Sequence, residues 1–185
     1  MTRTRAAARL PSTPKNELRP SGRTGTMPSM PTARVIRPYR PDDWTAIARI
    51  HDAARLDELR PTVGVAAFLS LADTAEGEGL FDGDVWVAEQ SGEVVGFVAF
   101  ADDEVTWLYV DPARYRQGHG RALLRHALAA AGERPVETTV LVGNDGALAL
   151  YLAEGFRIEA TKTGRLAGNE AFAATGHIMV RPGPA

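Results

Sequence analysis

From Arg34 onward, the spacing of apolar positions changes several times along the chain, and each change marks a new element. "ARVIRPY" reads as a short strand. "PDDWTAIARIHDAARL" reads as a helix, with Asp42 or Asp43 as its cap and Trp44, Ile47, Ile50 and Ala54 on one face. A second helix is predicted over Val63 to Thr74. The period then falls to two, or to short apolar runs: "DVWVAEQ", a turn at Ser91 and Gly92, "EVVGFVAF", a turn at Asp102 and Asp103, and "EVTWLYV". Three strands linked this tightly make an antiparallel meander. A helix from about Gly118 to Ala131 follows, then the strand "VETTVLV", a helix from about Asp145 to Ala153, and end strands near "FRIEATK" and "GHIMVR". The shift from hairpins to crossover connections predicts an α/β (α+β) class, a mixed sheet covered by helices.

Composition narrows the setting. The 185 residues are 44% hydrophobic, as expected for one globular domain. A formal net charge of −2 points to neither a nucleic-acid binder nor a membrane-surface protein, and no apolar run reaches the roughly 18 residues of a spanning helix. With no cysteine, disulfides, thiolate zinc sites and a cysteine nucleophile are excluded, and a reducing, cytoplasmic setting is expected. The histidines His51, His119, His126 and His177 show no ligand spacing, so no metal site is expected.

Charge is unevenly placed. Residues 1–33 hold Arg3, Arg5, Arg9, Lys15, Arg19 and Arg23 against the single acid Glu17, among many Pro, Ser and Thr. Such a leader has too few apolar groups to offset ordering entropy, so disorder is expected there, with the folded domain spanning 34–181. It lacks the apolar core of a secretory signal, its prolines oppose an amphipathic transit helix, and Met27 or Met30 is a candidate start.

The chemistry concentrates where "EVTWLYVDP" meets "RYRQGHGRALLRHAL". A strand ends near Pro112, a turn carries Gly118 and Gly120, and a helix opens inside that turn. The first amides of a helix are unpaired and carry partial positive charge, which suits an anion such as a pyrophosphate. Glycines let phosphate oxygens approach the backbone, and Arg114, Arg116 and Arg121 lie nearby, although a GxG before a helix is also an ordinary tight turn. A Walker A loop lacks its Gly-Lys-Ser/Thr here, and a dinucleotide fingerprint would want a small residue where Leu123 stands.

"YRQGHG", Tyr115 to Gly120, resembles the (Arg/Gln)-x-x-Gly-x-(Gly/Ala) loop of the GNAT superfamily of acyl-CoA-dependent N-acyltransferases. "NDGALALYLAEGF" is similar to a second block of that family, matching at Asn144, Ala147, Tyr151, Gly155 and Phe156. The resemblance spans roughly Arg34 to Arg181 and departs from the motif at Tyr115, where Arg or Gln is usual. It implies a mixed, mostly antiparallel central sheet of six to seven strands with about four helices, in which parallel strands four and five splay to admit CoA.

The same resemblance implies an acetyl-CoA-dependent N-acetyltransferase in which a primary amine attacks the thioester directly. Arg116, Gln117, Gly118, His119, Gly120, Arg121 and Ala122 would hold the pyrophosphate. Backbone groups of Leu108, Tyr109 and Val110 would pair with the pantetheine arm, a bulge there aiming an amide at the carbonyl. Tyr151 is expected to protonate the leaving thiolate or else to anchor its helix. Asn144 would bond pantetheine, cap the helix, or do both. Glu104 is the expected base or a solvated strand-end acid. Trp107 or Tyr109 would line the acceptor cleft, depending on which face each takes.

Acceptor choice would fall to Asp52–Asp82 and to a loop over Lys162–Thr175 that folds over the cleft. The acidity of the first stretch (Asp52, Asp57, Glu58, Asp73, Glu76, Glu78, Asp82) suits a cationic amine, on a small molecule or a protein. Two other readings stand beside catalysis: a silent acyl-CoA-binding or sensing module, and an interaction domain that uses the fold. The family also makes a homodimer one option.

Overall fold

A computed structural model describes residues 33–183, so the leader expected to be disordered lies, apart from Ala33, outside the described residues. Seven strands form one sheet in the order β1-β2-β3-β4-β5-β7-β6. They are β1 (Val35–Pro38), β2 (Asp84–Gln90), β3 (Glu93–Ala101), β4 (Glu104–Val110), β5 (Val136–Leu141), β6 (Arg157–Leu166) and β7 (Asn169–Arg181). Every neighbouring pair is antiparallel except β4 and β5. Helices α1 (Trp44–Leu59), α2 (Leu71–Thr74), α3 (His119–Ala131) and α4 (Asp145–Ala153) cover the sheet. The mixed sheet and four helices agree with the architecture expected from the sequence.

Alternation along the strands sends side chains into two cores. Val98 and Phe100 pack with Leu123, Leu124, Leu128 and Tyr151 of α3 and α4. Phe97 and Ala99 pack with Ile47 and Ile50 of α1 and with Leu71 of α2. Strand β4 breaks this alternation. Ala99 faces Trp107 and Phe100 faces Val105, which leaves Thr106 as an extra, bulged residue. Val105 therefore joins the α3 core while Trp107, two positions on, joins the α1 core. Beyond the bulge, Tyr109 takes the α1 face, and Leu108 and Val110 take the α3 face. The bulge thus lies before the Leu108–Val110 segment where it was expected, and it resets which side chains that segment presents.

Two expected elements differ. Val63–Thr74 is not one helix: Val65–Ala67 is a single 3-10 turn, Phe68 is extended, and α2 begins only at Leu71. Gly64 at φ 99° cannot continue a right-handed helix, and Ser70 starts a new one by donating its hydroxyl to Asp73 at 2.6 Å. Nor is Lys162–Thr175 a loop over the cleft. Thr163 pairs with Thr175 and Arg165 with Ala173, so β6 and β7 form one long hairpin turning at Ala167 and Gly168. Its tip is pinned because Leu166 is buried against Leu59 and Ala67, and Asn169 donates to the Ala67 carbonyl at 3.1 Å.

Asp43 opens α1 without capping it. Its carboxylate accepts two bonds from the Arg37 guanidinium, at 2.7 and 2.8 Å, and one from the Arg40 amide at 2.8 Å. The same guanidinium donates to Glu89 at 2.8 Å, tying β1, α1 and β2 together. Arg37 holds the Asp43 carboxyl below its ordinary range against the opposing effect of burial. A depressed folded value means that this stability is present above the unfolded value of about 4 and is lost as pH falls through the folded one. Asp43→Asn should cost about 2 kcal/mol near neutrality. Urea melts of the two proteins should converge as pH is lowered from 5, and a gap independent of pH would show that the charge contributes nothing.

Candidate active site

Parallel strands β4 and β5 pair only at their starts, where Glu104 lies opposite Glu137. Two bonds close that end: the Glu137 amide donates to the Asp103 carbonyl at 2.9 Å, and Thr138 Oγ1 donates to the Val105 carbonyl at 3.0 Å. Past this point the strands part. Each keeps its outer partner, β4 on β3 through Val110 and β5 on β7 through Leu141. The inner edge of β4 from Leu108 to Val110 therefore faces a cleft of about 730 Å³ instead of a neighbouring strand. Thr138, Thr139 and Val140 line its other wall, and Ala147, Leu150 and Tyr151 of α4 also line it.

The turn after β4 closes one end. Arg116 at φ 62° and Gly118 at φ 80° both take the left-handed conformation, and α3 begins at His119. Alternation of this kind curls backbone amides into an anion-binding concavity ahead of a helix N-terminus. The first intrahelical bond runs from the Ala122 amide to the Gly118 carbonyl at 3.1 Å. Ala122, expected in the cradle, thus has its amide committed to the helix, and the first-turn amides outside that bond are those of His119, Gly120 and Arg121. A Cβ on Gly120 would meet Leu150 at 3.4 Å and Val110 at 3.6 Å, which is ordinary contact. Neither backbone conformation nor packing within the chain demands glycine there, so what glycine secures is room beside the cleft.

Charge at this end is less than the sequence suggested. Arg114 pairs with Glu93 at 3.2 Å, and Arg121 pairs with Glu154 at 3.0 Å. Among the described residues only Arg116, of the three arginines expected to add charge, has no carboxylate partner. His119 is 1% exposed, and its Nδ1 accepts from Arg34 Nε at 2.9 Å. That bond fixes the neutral tautomer with its proton on Nε2, and burial holds the imidazole below its ordinary pKa.

Tyr151 lies where the strands converge. It is 5% exposed, set edge-on against Phe156, and burial pushes its hydroxyl up to about 12 against the opposing effect of Thr138. Glu104 is half-buried beside Glu137, and desolvation, then that neighbour, raise its carboxyl. It is not among the residues lining the cleft.

A carboxylate that does line the cleft is Glu58, near the end of α1. It appeared in the sequence only as one acid among seven. Its Oε2 accepts from Arg55 at 2.6 Å and from the Tyr109 hydroxyl at 3.1 Å, and its Oε1 accepts from Asn144 Nδ2 at 3.3 Å. Asn144 also caps α4, accepting from the Ala147 amide at 3.2 Å. Tyr109 is the aromatic that reaches the cleft, and burial followed by Glu58 raises its hydroxyl far above the ordinary value. Trp107 lies in the α1 core instead, against His51, which is bonded to Asp52 at 2.9 Å. Tyr115 stands at the rim, 42% exposed, with desolvation and then the nearby Asp57 and Glu58 pushing its hydroxyl up to about 12. His126 packs edge-on against Trp86. Among the described residues no His, Asp or Glu group has the grouping of a metal site, and no helix is long and apolar enough to cross a membrane.

A strand pair parted over an open backbone edge, with a glycine-bearing turn feeding a helix at one end, is the arrangement that the sequence resemblance implied. Residues 81–158 match the family described as "Acetyltransferase (GNAT) domain". It is 26% identical over 108 residues to the uncharacterized N-acetyltransferase YafP of Escherichia coli strain K12, covering 57% of this chain and 72% of that one. Solved structures share the fold. The GCN5-related N-acetyltransferase of Rhodopseudomonas palustris aligns with a TM-score of 0.66 at 18% identity, over 83% of this chain and 98% of its own. The ribosomal-protein-S18-alanine N-acetyltransferase of Escherichia coli gives 0.59 at 22%, over 83% and 96%. The yncA protein of Salmonella typhimurium, solved with its cofactor acetyl-CoA, gives 0.59 at 23%, over 80% and 92%.

The Glu58 network makes a direct prediction. Arg55→Met keeps the side-chain volume but removes the cation from a carboxylate whose side chain is only 16% exposed. Unfolding should become easier by about 2 kcal/mol, since charge-assisted bonds of this kind contribute roughly that much. Arg55→Met combined with Glu58→Gln should recover part of the loss, and a double-mutant cycle of melting free energies reads the difference.

Proposed function

We propose that the protein is an acetyl-CoA-dependent N-acetyltransferase acting on a primary amine. The observation that supports this most is the unpaired inner edge of β4 between the bulge at Thr106 and the turn at Arg116–Gly120. An extended arm with amide groups fits such an edge as an added strand, because backbone donors and acceptors left beside a cleft need partners. When bound, acetyl-CoA supplies the activated acetyl group.

The chain's own residues divide the remaining work. Amides of Gln117 to Arg121 with the Arg116 guanidinium hold the pyrophosphate, His119 contributing through its backbone. Leu108, Tyr109 and Val110 offer backbone groups to the pantetheine, and a β4 amide past the bulge polarises the thioester carbonyl. Tyr151, kept neutral by burial, donates its proton to the departing sulfur. Glu58, with capacity left on Oε1 beyond the Asn144 bond, receives the acceptor amine, directs its lone pair to the carbonyl, and takes the proton that nitrogen loses as the C–N bond forms and the C–S bond breaks. Glu58 fits this role better than Glu104, which stays at the closed end of the strands. Asp57, Glu58 and Tyr115 make this part of the cleft acidic and aromatic, suited to a cationic amine on a small molecule or a protein.

Calorimetric titration with acetyl-CoA, CoA and ATP tests the reading. Both CoA forms should bind, ATP should bind far more weakly, and Gly120→Trp should abolish binding without lowering the melting temperature. Tyr151→Phe should bind CoA within about twofold of wild type yet release thiol on the order of 100-fold more slowly with an accepted amine, the usual scale for losing a general acid. Unchanged thiol release in that variant would remove Tyr151 from the chemistry. CoA binding with no turnover on any amine would favour the sensing module, and no binding at near-millimolar CoA would sink the proposal.

A further inference from the structure

The turn at 116–120 is held from behind by a residue outside both sequence blocks and outside the segment matched to the family. Arg34, just before β1, donates from all three guanidinium nitrogens to consecutive residues of the turn. Nη2 donates to the Gln117 carbonyl at 2.8 Å, Nη1 to the Gly118 carbonyl at 3.1 Å, and Nε to His119 Nδ1 at 2.9 Å. The three acceptors are 83 to 85 residues away in sequence, so the contact is a tertiary clamp and not a local turn.

From this geometry we infer that Arg34 is a positioning residue for the anion cradle, and the inference rests on the CoA reading above. A trans peptide is planar, with its carbonyl and the following amide pointing in opposite directions. Holding the carbonyls of Gln117 and Gly118 on Arg34 therefore turns the amides of Gly118 and His119 to the other side of the turn. Gly118, His119 and Gly120 line the cleft and Arg34 does not, so the other side is the cleft. The rigid, planar fork of an arginine suits three acceptors at fixed positions, which a lysine ammonium cannot match. Holding His119 neutral is part of the clamp, since a proton on Nδ1 would replace an acceptor with a donor facing Arg34 Nε. Arg34 also brings a cation close behind a loop whose own first position is Tyr115 and whose flanking Arg114 and Arg121 are paired to acids. Preorganised amides lose less freedom when an anion binds, so the clamp raises affinity for the pyrophosphate portion of CoA without touching it.

The test compares wild type, Arg34→Ala and Arg34→Lys, using CoA and the fragment pantetheine, which lacks the pyrophosphate. Hydrogen exchange of the Gly118–Arg121 amides is measured in the ligand-free proteins. Arg34→Ala should weaken CoA about tenfold, a loss of about 1.4 kcal/mol, while pantetheine binding stays unchanged. Its loop amides should exchange faster, its melting temperature should stay within about 3 °C of wild type, and Arg34→Lys should fall between the two. CoA affinity equal to wild type in Arg34→Ala, or equal weakening of both ligands, would overturn the inference. Should Arg34→Ala not fold, Arg34→Lys and Arg34→Gln carry the same comparison. Wild type that binds no CoA defeats the proposed function, whereas unchanged loop exchange defeats the clamp by itself.

Discussion

The architecture depends on two neighbouring strands failing to stay together. Strands β4 and β5 are parallel, pair at Glu104 and Glu137, and then diverge although each remains bonded on its outer side. A backbone edge in the middle of a sheet is normally paired, because each N–H and C=O is an obligatory hydrogen-bonding group. Three local features shape the opening. Thr138 uses its hydroxyl to satisfy the Val105 carbonyl, the Thr106 bulge bends β4, and Tyr151, Leu150 and Ala147 of α4 line the space that opens. The cleft is thus a consequence of sheet geometry, and the chemistry assigned to it needs only a few side chains.

Those side chains stand in contrasting electrostatic environments. Tyr151 is buried among apolar neighbours, which holds its proton on the hydroxyl. Glu58 is also largely shielded but accepts hydrogen bonds from Arg55, Tyr109 and Asn144. A buried phenol and a hydrogen-bonded carboxylate, both lining one cleft, divide the acid–base work between them in the proposed reading. In the proposed reading the proton supplied to sulfur and the site receiving the amine never compete for the same group.

What could be read from the chain followed the range of each signal. Period-two runs and turn residues gave β2 to β4, and a GxG opening an apolar-periodic stretch gave α3, because these patterns are local. The second helix was misjudged because Gly64 and Ser70 interrupt an apolar composition that looks continuous. The two end strands were legible near "FRIEATK" and "GHIMVR", but not their continuation through Lys162–Thr175, because "GRLAGNE" looks like punctuation, whereas Leu166 finds a pocket formed by Leu59 and Ala67, about a hundred residues away in sequence. Tyr151, Gly118 and Gly120, which all line the cleft, were visible through their motifs. Glu58 was not, since seven acids in one stretch are equivalent until the fold brings Tyr109 and Asn144 against one of them. Arg34 was equally hidden, lying among many arginines and gaining meaning only from carbonyls on the far side of the sequence.

Tyr115 draws these strands together. At the position where the motif carries Arg or Gln, this chain places an exposed phenol near Asp57 and Glu58, lining the cleft. Its ring does not add charge to the anion cradle, yet the cradle's backbone is bent as its left-handed residues require and is gripped by Arg34 from the opposite face. Arg114 and Arg121 also spend their charge on Glu93 and Glu154, so in the proposed reading backbone amides carry more of the anion binding than the arginine count implies. A loop that holds its ligand through amides leaves its side chains free to vary. At Tyr115 that freedom places an aromatic wall next to two carboxylates, where an ammonium group is stabilised by both.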